Sequence, residues 1–294
     1  MGDPVATGPS RAGASAHVGV FFISLALLLL EIALTRVYSY TIWYHFAFIT
    51  IAVALLGFGA SGSVLALWQR RHEIDVQRIV PWTAVLSGGG VIVVLLVLYY
   101  VRFDPFDLMT DPTQLPLGLL YIGSATIPFF FAGMTIALAL NAYPKQSNTL
   151  YGVDLVGAGL ACILFPWLLI EFGAPNAIRA ACVLMCLSAL AFTRVRHFPV
   201  IAASVLVVGS VWAVGMGLDL ETCKSKVMST LVHSREGQVL FSKWSTVFRT
   251  EVIDVRDTPD TPKWTYGYIG ASKKYGGPRP DWQVIAHDGD AIAT

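Results

Sequence analysis

Seven apolar stretches, each long enough to cross a bilayer, dominate this chain and exclude most ways of folding it. They cover residues 17–38, 42–68, 79–101, 116–142, 149–171, 175–193 and 198–218. A spanning helix needs about 20 mostly apolar residues. Inside hydrocarbon every backbone N–H and C=O must be paired within the segment, so runs of this kind fold as helices. Composition agrees: 55% of the 294 residues are hydrophobic and 13% charged, with a mean hydropathy of +0.63, too apolar for a soluble domain with a normal surface. The expected fold class is a mainly α membrane protein, a seven-helix bundle over 17–218 whose first partner is the lipid bilayer.

Flanking segments differ in material. Residues 1–16, "MGDPVATGPSRAGASA", are rich in Gly, Pro, Ser and Ala and read as a disordered leader. The apolar run behind them is long enough to span and carries no small-residue cleavage site before Glu31, which argues against a signal peptide. From Asp219 the chain turns polar. "GQVLFSKWSTVFRTEVIDVRD" alternates apolar and polar residues with β-branched enrichment, "GYIGASKKYGGPRPDW" is turn-rich, and "WQVIAHDGDA" reads as a strand running into an Asp-Gly turn. Residues 219–294 are therefore expected to form a small, incomplete β-rich module outside the membrane.

Net charge is +1, and no Lys/Arg run is interleaved with aromatics, so nucleic acid is not an expected partner. Loop charge sets the orientation. With the N-terminus inside, Arg11, Arg70, Arg71, Arg78, Lys145, Arg194 and Arg196 lie on the inner side, against Arg36, Arg102 and Arg179 outside. Lys224 and Lys226, beside the last span, count the other way. The balance places the N-terminus in the cytoplasm and, after seven crossings, the tail outside it.

Polar residues within the spans are the candidate functional positions. In "LLEIALTRVYSYTIWYHFAF", Glu31 lies about 10 Å below the outer end of the first span, where a carboxylate costs about 2.5 to 3.5 kcal/mol unless it is paired or hydrated. Arg36 is 140° further around the helix, so the expected partner is His45 or Arg179 from another helix. Arg36 is expected to snorkel into an aromatic belt of Tyr38, Tyr40, Trp43 and Tyr44. Two readings stay open: structural pins that set helix register, or an outer polar vestibule for a small ligand or protons. In "LYGVDLVGAGLACILFPW", Asp154 is expected to face protein, with Lys145 or Asn141 to satisfy it. Gly157 and Gly159 there, and Gly57, Gly59 and Gly62 in "LLGFGASGSVLAL", read as close-packing positions, since no strand precedes them as a nucleotide loop would need. Cys182 and Cys186 share a helix face and read as packing residues; no metal site is expected.

Four of these motifs, "LLEIALTRVYSYTIWYHFAFITIAVALLGFGASG", "LYGVDLVGAGLACIL", "KWSTVFRTEV" and "HDGDA", resemble in that order the membrane-integral relatives of spermidine synthase, bacterial polyamine aminopropyltransferase-like proteins. The resemblance implies a bacterial inner-membrane protein in which a helix bundle precedes a synthase-like half. That half has a small β-rich piece and then a Rossmann-like domain binding decarboxylated S-adenosylmethionine and a diamine. By the resemblance Asp288 and Asp290 border the substrate pocket. The family's Gly-rich cofactor loop, ribose-binding acid and catalytic Asp cluster have no counterpart in this sequence, so the resemblance implies no cofactor and no catalysis by these residues alone; aminopropyl transfer would need a further C-terminal domain. A tail outside the cytoplasm would also be out of reach of a cytoplasmic adenosyl cofactor. Two other functions fit the same residues: an accessory subunit docked to other membrane-protein subunits, and a carrier for a small polyamine-type cation with Glu31, His45 and Asp154 as ligands.

Overall fold

A computed structural model of the chain describes residues 13–71, 75–193, 198–216, 218–226, 228, 229, 232, 238–254 and 283–293. Among the described residues the main elements are eight α-helices, followed by a four-stranded antiparallel sheet, with helical residues also at 228, 229 and 232 between them. The helices are α1 (Ala14–Thr41), α2 (Ala47–Gln69), α3 (Val76–Tyr100), α4 (Gln114–Gly123), α5 (Thr126–Ala142), α6 (Ser147–Phe172), α7 (Ala174–Phe192) and α8 (Phe198–Ala213). Among the described residues six helical segments are long and apolar enough to cross a membrane, with α4 and α5 counting as one, and α8 is a shorter apolar helix.

Three sequence boundaries are corrected. The fourth apolar stretch is not one helix: it breaks at Ser124 and Ala125, after Gly123, and restarts with Pro128 in its first turn, where the missing N–H is tolerated. The leader ends earlier than residue 16, because α1 begins at Ala14; residues 1–12 lie outside the described residues, as do Arg194, Arg196 and the turn-rich stretch 267–282. The seventh apolar stretch is helical only to Ala213, about 24 Å at 1.5 Å per residue, and the chain then turns at Gly215 (φ 68°).

Helix α1 is the centre of the bundle, packed chiefly on α7 and α6. Its Leu30, Ala33, Leu34 and Val37 are wholly buried in one core with Leu95 of α3 and Ile178, Ala181 and Met185 of α7. Successive segments run up and down. One end gathers Gly13, Asp75, Tyr143 and Phe192 around a common hollow. The opposite end gathers Thr41, Tyr99, Gly173 and Val214, linked by Arg179, Tyr121 and Trp244. The sheet sits on this second end.

Close approach between helices rests on two of the five glycines singled out in the sequence. A Cβ on Gly157 would lie 2.6 Å from the Phe21 carbonyl oxygen of α1, and one on Gly57 would lie 2.8 Å from Phe129 Cβ and 2.9 Å from the Phe130 nitrogen of α5. Gly59, Gly62 and Gly159 face open space, which corrects the expectation that all five pack helices. Gly157→Ala is therefore expected to cost about 1 to 3 kcal/mol, because it presses on backbone that cannot step aside. Gly159→Ala should leave thermal stability in detergent unchanged. Equal melting of the two variants would contradict the packing described.

The strands are β1 (Gln238–Trp244), β2 (Arg249–Asp254), β3 (Gln283–His287) and β4 (Ala291–Ala293), paired in chain order. β1 is an edge strand, exposed along Gln238–Lys243 and carrying a bulge between Val239 and Phe241. β2 alternates strictly, and its buried face carries Arg249, Glu251 and Ile253. The β3–β4 turn is closed by the Asp290 N–H on the His287 carbonyl (3.1 Å), with Asp288 (φ 49°) and Gly289 (φ 74°) both left-handed, as a type I′ turn requires.

Candidate functional site: the seam between bundle and sheet

The last turn of any helix leaves carbonyls without intrahelical donors. For α1 those include Ser39 and Tyr40, and a lysine from the tail supplies the donors. Lys226, 1% exposed, places Nζ 2.7 Å from the Ser39 oxygen, 2.8 Å from the Tyr40 oxygen and 2.6 Å from the Asp288 oxygen. Its charge also sits 5.7 Å from the centre of the Trp43 ring, and a cation at a helix C-terminus is favoured by the dipole. Burial still dominates, pushing the Lys226 ammonium down to a pKa of about 8, while Cys223, Asp288, Asp290 and Glu251 act the other way. One side chain thus ties α1 to the β3–β4 turn.

Asp288 makes the second tie. Its Oδ1 accepts from the Arg249 N–H (2.8 Å) and its Oδ2 from the Ser39 hydroxyl (2.9 Å), so both oxygens join the sheet to α1. Among the described residues, neither Asp288 nor Asp290 lines the two cavities that flank the seam.

The third tie is a buried ion pair. Arg249 Nε lies 3.1 Å from Glu251 Oε1 and donates to Ser242 Oγ at 2.8 Å, and its Nη2 reaches Asp219 at 3.3 Å. The guanidinium covers the Tyr40 ring (4.6 Å to the centroid) and approaches Trp244 (5.4 Å). Tyr40 completes the network by donating its hydroxyl to Glu251 Oε1 at 3.1 Å. Glu251 is wholly buried, and its Oε2 has no hydrogen-bond partner among the described residues. Desolvation raises the Glu251 carboxyl above the usual carboxylate range, opposed by the Arg249 charge.

Further contacts close the rim. Asp104 accepts from the Ser225 N–H (2.7 Å) and hydroxyl (2.9 Å), Arg102 pairs with Glu221 at 2.5 Å, and Cys223 donates its N–H to the Thr41 carbonyl at 2.7 Å. Burial raises the Cys223 thiol, the opposite of what an activated nucleophile needs. Among the described residues two cavities flank the seam. One, of about 430 Å³, lies between the α3–α4 connector and residues 221–229; the other, of about 610 Å³, lies between the α6–α7 turn, the end of α8 and β1. Among the described residues no group of three His, Cys, Asp or Glu could hold a metal ion. The chemistry on show is that of holding two bodies together.

Most intramembrane candidates are placed differently from expectation. Glu31 contacts neither His45 nor Arg179: its carbonyl accepts from Thr35, and its half-buried carboxylate has no polar partner among the described residues. Arg179 is unavailable because its donors serve the Val211 carbonyl of α8 (3.4 Å), the Val214 carbonyl just past its end (2.9 Å), Asn176 Oδ1 (2.8 Å) and the Tyr99 hydroxyl (3.5 Å). His45 lies beyond the end of α1 with its ring against Tyr44, 3.7 Å between centroids. Arg36 reaches upward to the Val247 carbonyl at 2.5 Å, in the β1–β2 turn. Tyr38 and Tyr40 are buried and belong to the core and the seam, not to a lipid-facing belt; Tyr44 is exposed.

Asp154 is satisfied by the Ser24 hydroxyl of α1, not by Lys145 or Asn141, because it stands seven residues inside α6, about 10 Å from the helix start. Glu31 is seven residues beyond Ser24, another 10 Å along α1, so Glu31, His45 and Asp154 do not converge on one ligand. The residues that do converge, Lys226, Arg249, Glu251 and Asp104, were not read as site residues in the sequence, where Lys226 counted only as a charge beside the last span. The one signal for them was a pair of charges at i, i+2 in a strand, Arg249 and Glu251, which puts both on one face. Comparison with protein-family models, with curated proteins and with solved structures gives no match for this chain.

Proposed function

We propose that this chain is the membrane-integral part of a spermidine synthase-like protein, in which the helix bundle is a rigid mount for the β-rich start of the synthase-like half. In this reading seven helices cross a bacterial inner membrane, α8 included, with the N-terminus cytoplasmic and the sheet extracytoplasmic. These residues hold and position; they do not transfer an aminopropyl group by themselves. The observation that carries the reading is the triple lock of Lys226, Asp288 and the Arg249–Glu251 pair on the end of α1, which makes bundle and sheet one unit. Lys226, which counted against the outward tail, is buried in the seam and so offers no free charge to the membrane surface.

Two measurements test it together. A reporter active only in the cytoplasm, fused after Thr294, is expected to be silent, and the same reporter at the N-terminus active. Calorimetry with decarboxylated S-adenosylmethionine is expected to show no binding at micromolar affinity. An active C-terminal reporter would overturn the topology, and a micromolar site for the cofactor would overturn the non-catalytic assignment.

A further inference from the structure

We infer that the 430 Å³ cavity under the α3–α4 connector binds a zwitterionic head group, a phosphate ester bearing a primary amine, of the kind a membrane phospholipid presents. Its volume falls in the range of small-molecule sites, and its floor is apolar, with Leu98, Phe103 and Tyr121 among the lining residues. The rim carries both signs of charge. Arg102 and Glu221 bridge the mouth as an ion pair with half-exposed side chains, 53% and 47%. Such a pair is held weakly, so each partner can turn to a ligand at small cost.

Beside them Lys224 and Asp107 line the same cavity; among the described residues neither side chain makes a hydrogen bond or a contact ion pair, and Lys224 acts on the connector's Asp111 only as a charge through space. Asp104, by contrast, is saturated by Ser225 and by the Phe106 N–H. A simple anion would leave Asp107 without a contact partner, and a simple cation would leave Lys224 with only the through-space charge of Asp111. A ligand with a phosphate for Lys224 and Arg102 and an ammonium for Asp107 and Glu221 satisfies all four.

The cavity opens where lipid head groups would lie. Gln114 lines it, and Leu115 and Leu119 on the next residues of α4 are exposed. Phe106 and Met109 of the connector are exposed as well, and Phe106 packs on Trp43, 5.2 Å between ring centres. Aromatic residues of this kind mark the membrane interface. The apolar lip gives acyl chains a path while the head enters the cavity. The lipid as source rests on the spanning topology proposed above; the charge pattern does not, so the reporter experiment and the binding experiment fail separately.

The test is native mass spectrometry of the delipidated full chain in detergent, titrated with phosphatidylethanolamine, with phosphatidylglycerol, which lacks the amine, and with water-soluble glycerophosphoethanolamine. Phosphatidylethanolamine is expected to bind about tenfold or more tightly than phosphatidylglycerol. Asp107→Asn should remove that preference and leave phosphatidylglycerol unchanged, while Lys224→Gln should weaken both lipids. Both side chains lie on the rim, and unchanged thermal melting will show that the variants are folded. If glycerophosphoethanolamine binds as tightly as the lipid, the head-group chemistry stands and the source is the aqueous phase. Equal binding of the two lipids, no binding of any probe, or no effect of Asp107→Asn overturns the assignment.

Discussion

Replacing Arg249 by methionine is expected to loosen the sheet from the bundle, at a cost of about 3 to 5 kcal/mol at neutral pH. Removing one member of a buried ion pair leaves the other uncompensated, and Glu251 has no exposure through which water could replace the lost charge. Asp219, whose side chain is 83% exposed, simply returns to solvent. Hydrogen exchange of the β2 amides and the melting temperature in detergent should both report the loss. The double variant Arg249→Met with Glu251→Leu should recover most of it, because no charge is then stranded. A single variant within about 1 kcal/mol of the parent would sink the idea.

The pH dependence follows from the direction of the Glu251 shift. Its folded pKa lies above the ordinary value, so between the two the folded state binds more protons than the unfolded one. Stability from this group is full at low pH and falls as pH rises through that window. The Arg249 charge holds the folded value down, so its removal raises the value further. The Arg249→Met defect should therefore shrink on acidification.

Lys226→Met is the second large effect, and two opposing terms decide its size. A folded pKa of about 8 against 10.5 for a free lysine means the buried charge costs about 3 kcal/mol, which methionine would relieve. Against this, the carbonyls of Ser39, Tyr40 and Asp288 lose their donor, at about 1 to 3 kcal/mol each when buried. The carbonyls win, and the expected net loss is about 2 to 4 kcal/mol. Between pH 8 and 10.5 the unfolded chain holds a proton that folded Lys226 has released, so the parent should gain stability as pH rises across that window. A Lys226→Met variant should lack this gain. If both proteins show the same alkaline profile, Lys226 is not the titrating group.

The helical part of this architecture was legible because hydrocarbon imposes one requirement on every residue, so apolar runs mark helices within a few positions. What failed there failed locally: Gly123 and Pro128 divide the fourth run, and the seventh run yields to a turn at Gly215. The seam was not legible. In β2 the adjacent Val252 and Ile253 put one apolar residue on each face, so hydropathy does not choose the inward one; the buried parity is that of Arg249, Glu251 and Ile253, and Glu251 meets Tyr40 there. Glu31 drew attention because an intramembrane carboxylate is conspicuous. Lys226 did not, since a lysine in a polar tail is ordinary until its partners in α1 are known. Local spacing carries no information about a contact 187 residues away.

That separation bears on how the protein is made. The last carbonyls of α1 are satisfied by a side chain synthesised 187 positions later, and by a turn later still. At about 5 to 20 residues per second the ribosome needs roughly 10 to 40 s to reach Lys226 after the first helix ends. During that interval the Ser39 and Tyr40 carbonyls lack the donor that Lys226 supplies, so the first helix to be made is the last to be finished. Nascent chains halted before residue 226 should accordingly expose the Ser39–Thr41 backbone to proteolysis and to proofreading by membrane quality control, and release from both should coincide with emergence of the final hairpin.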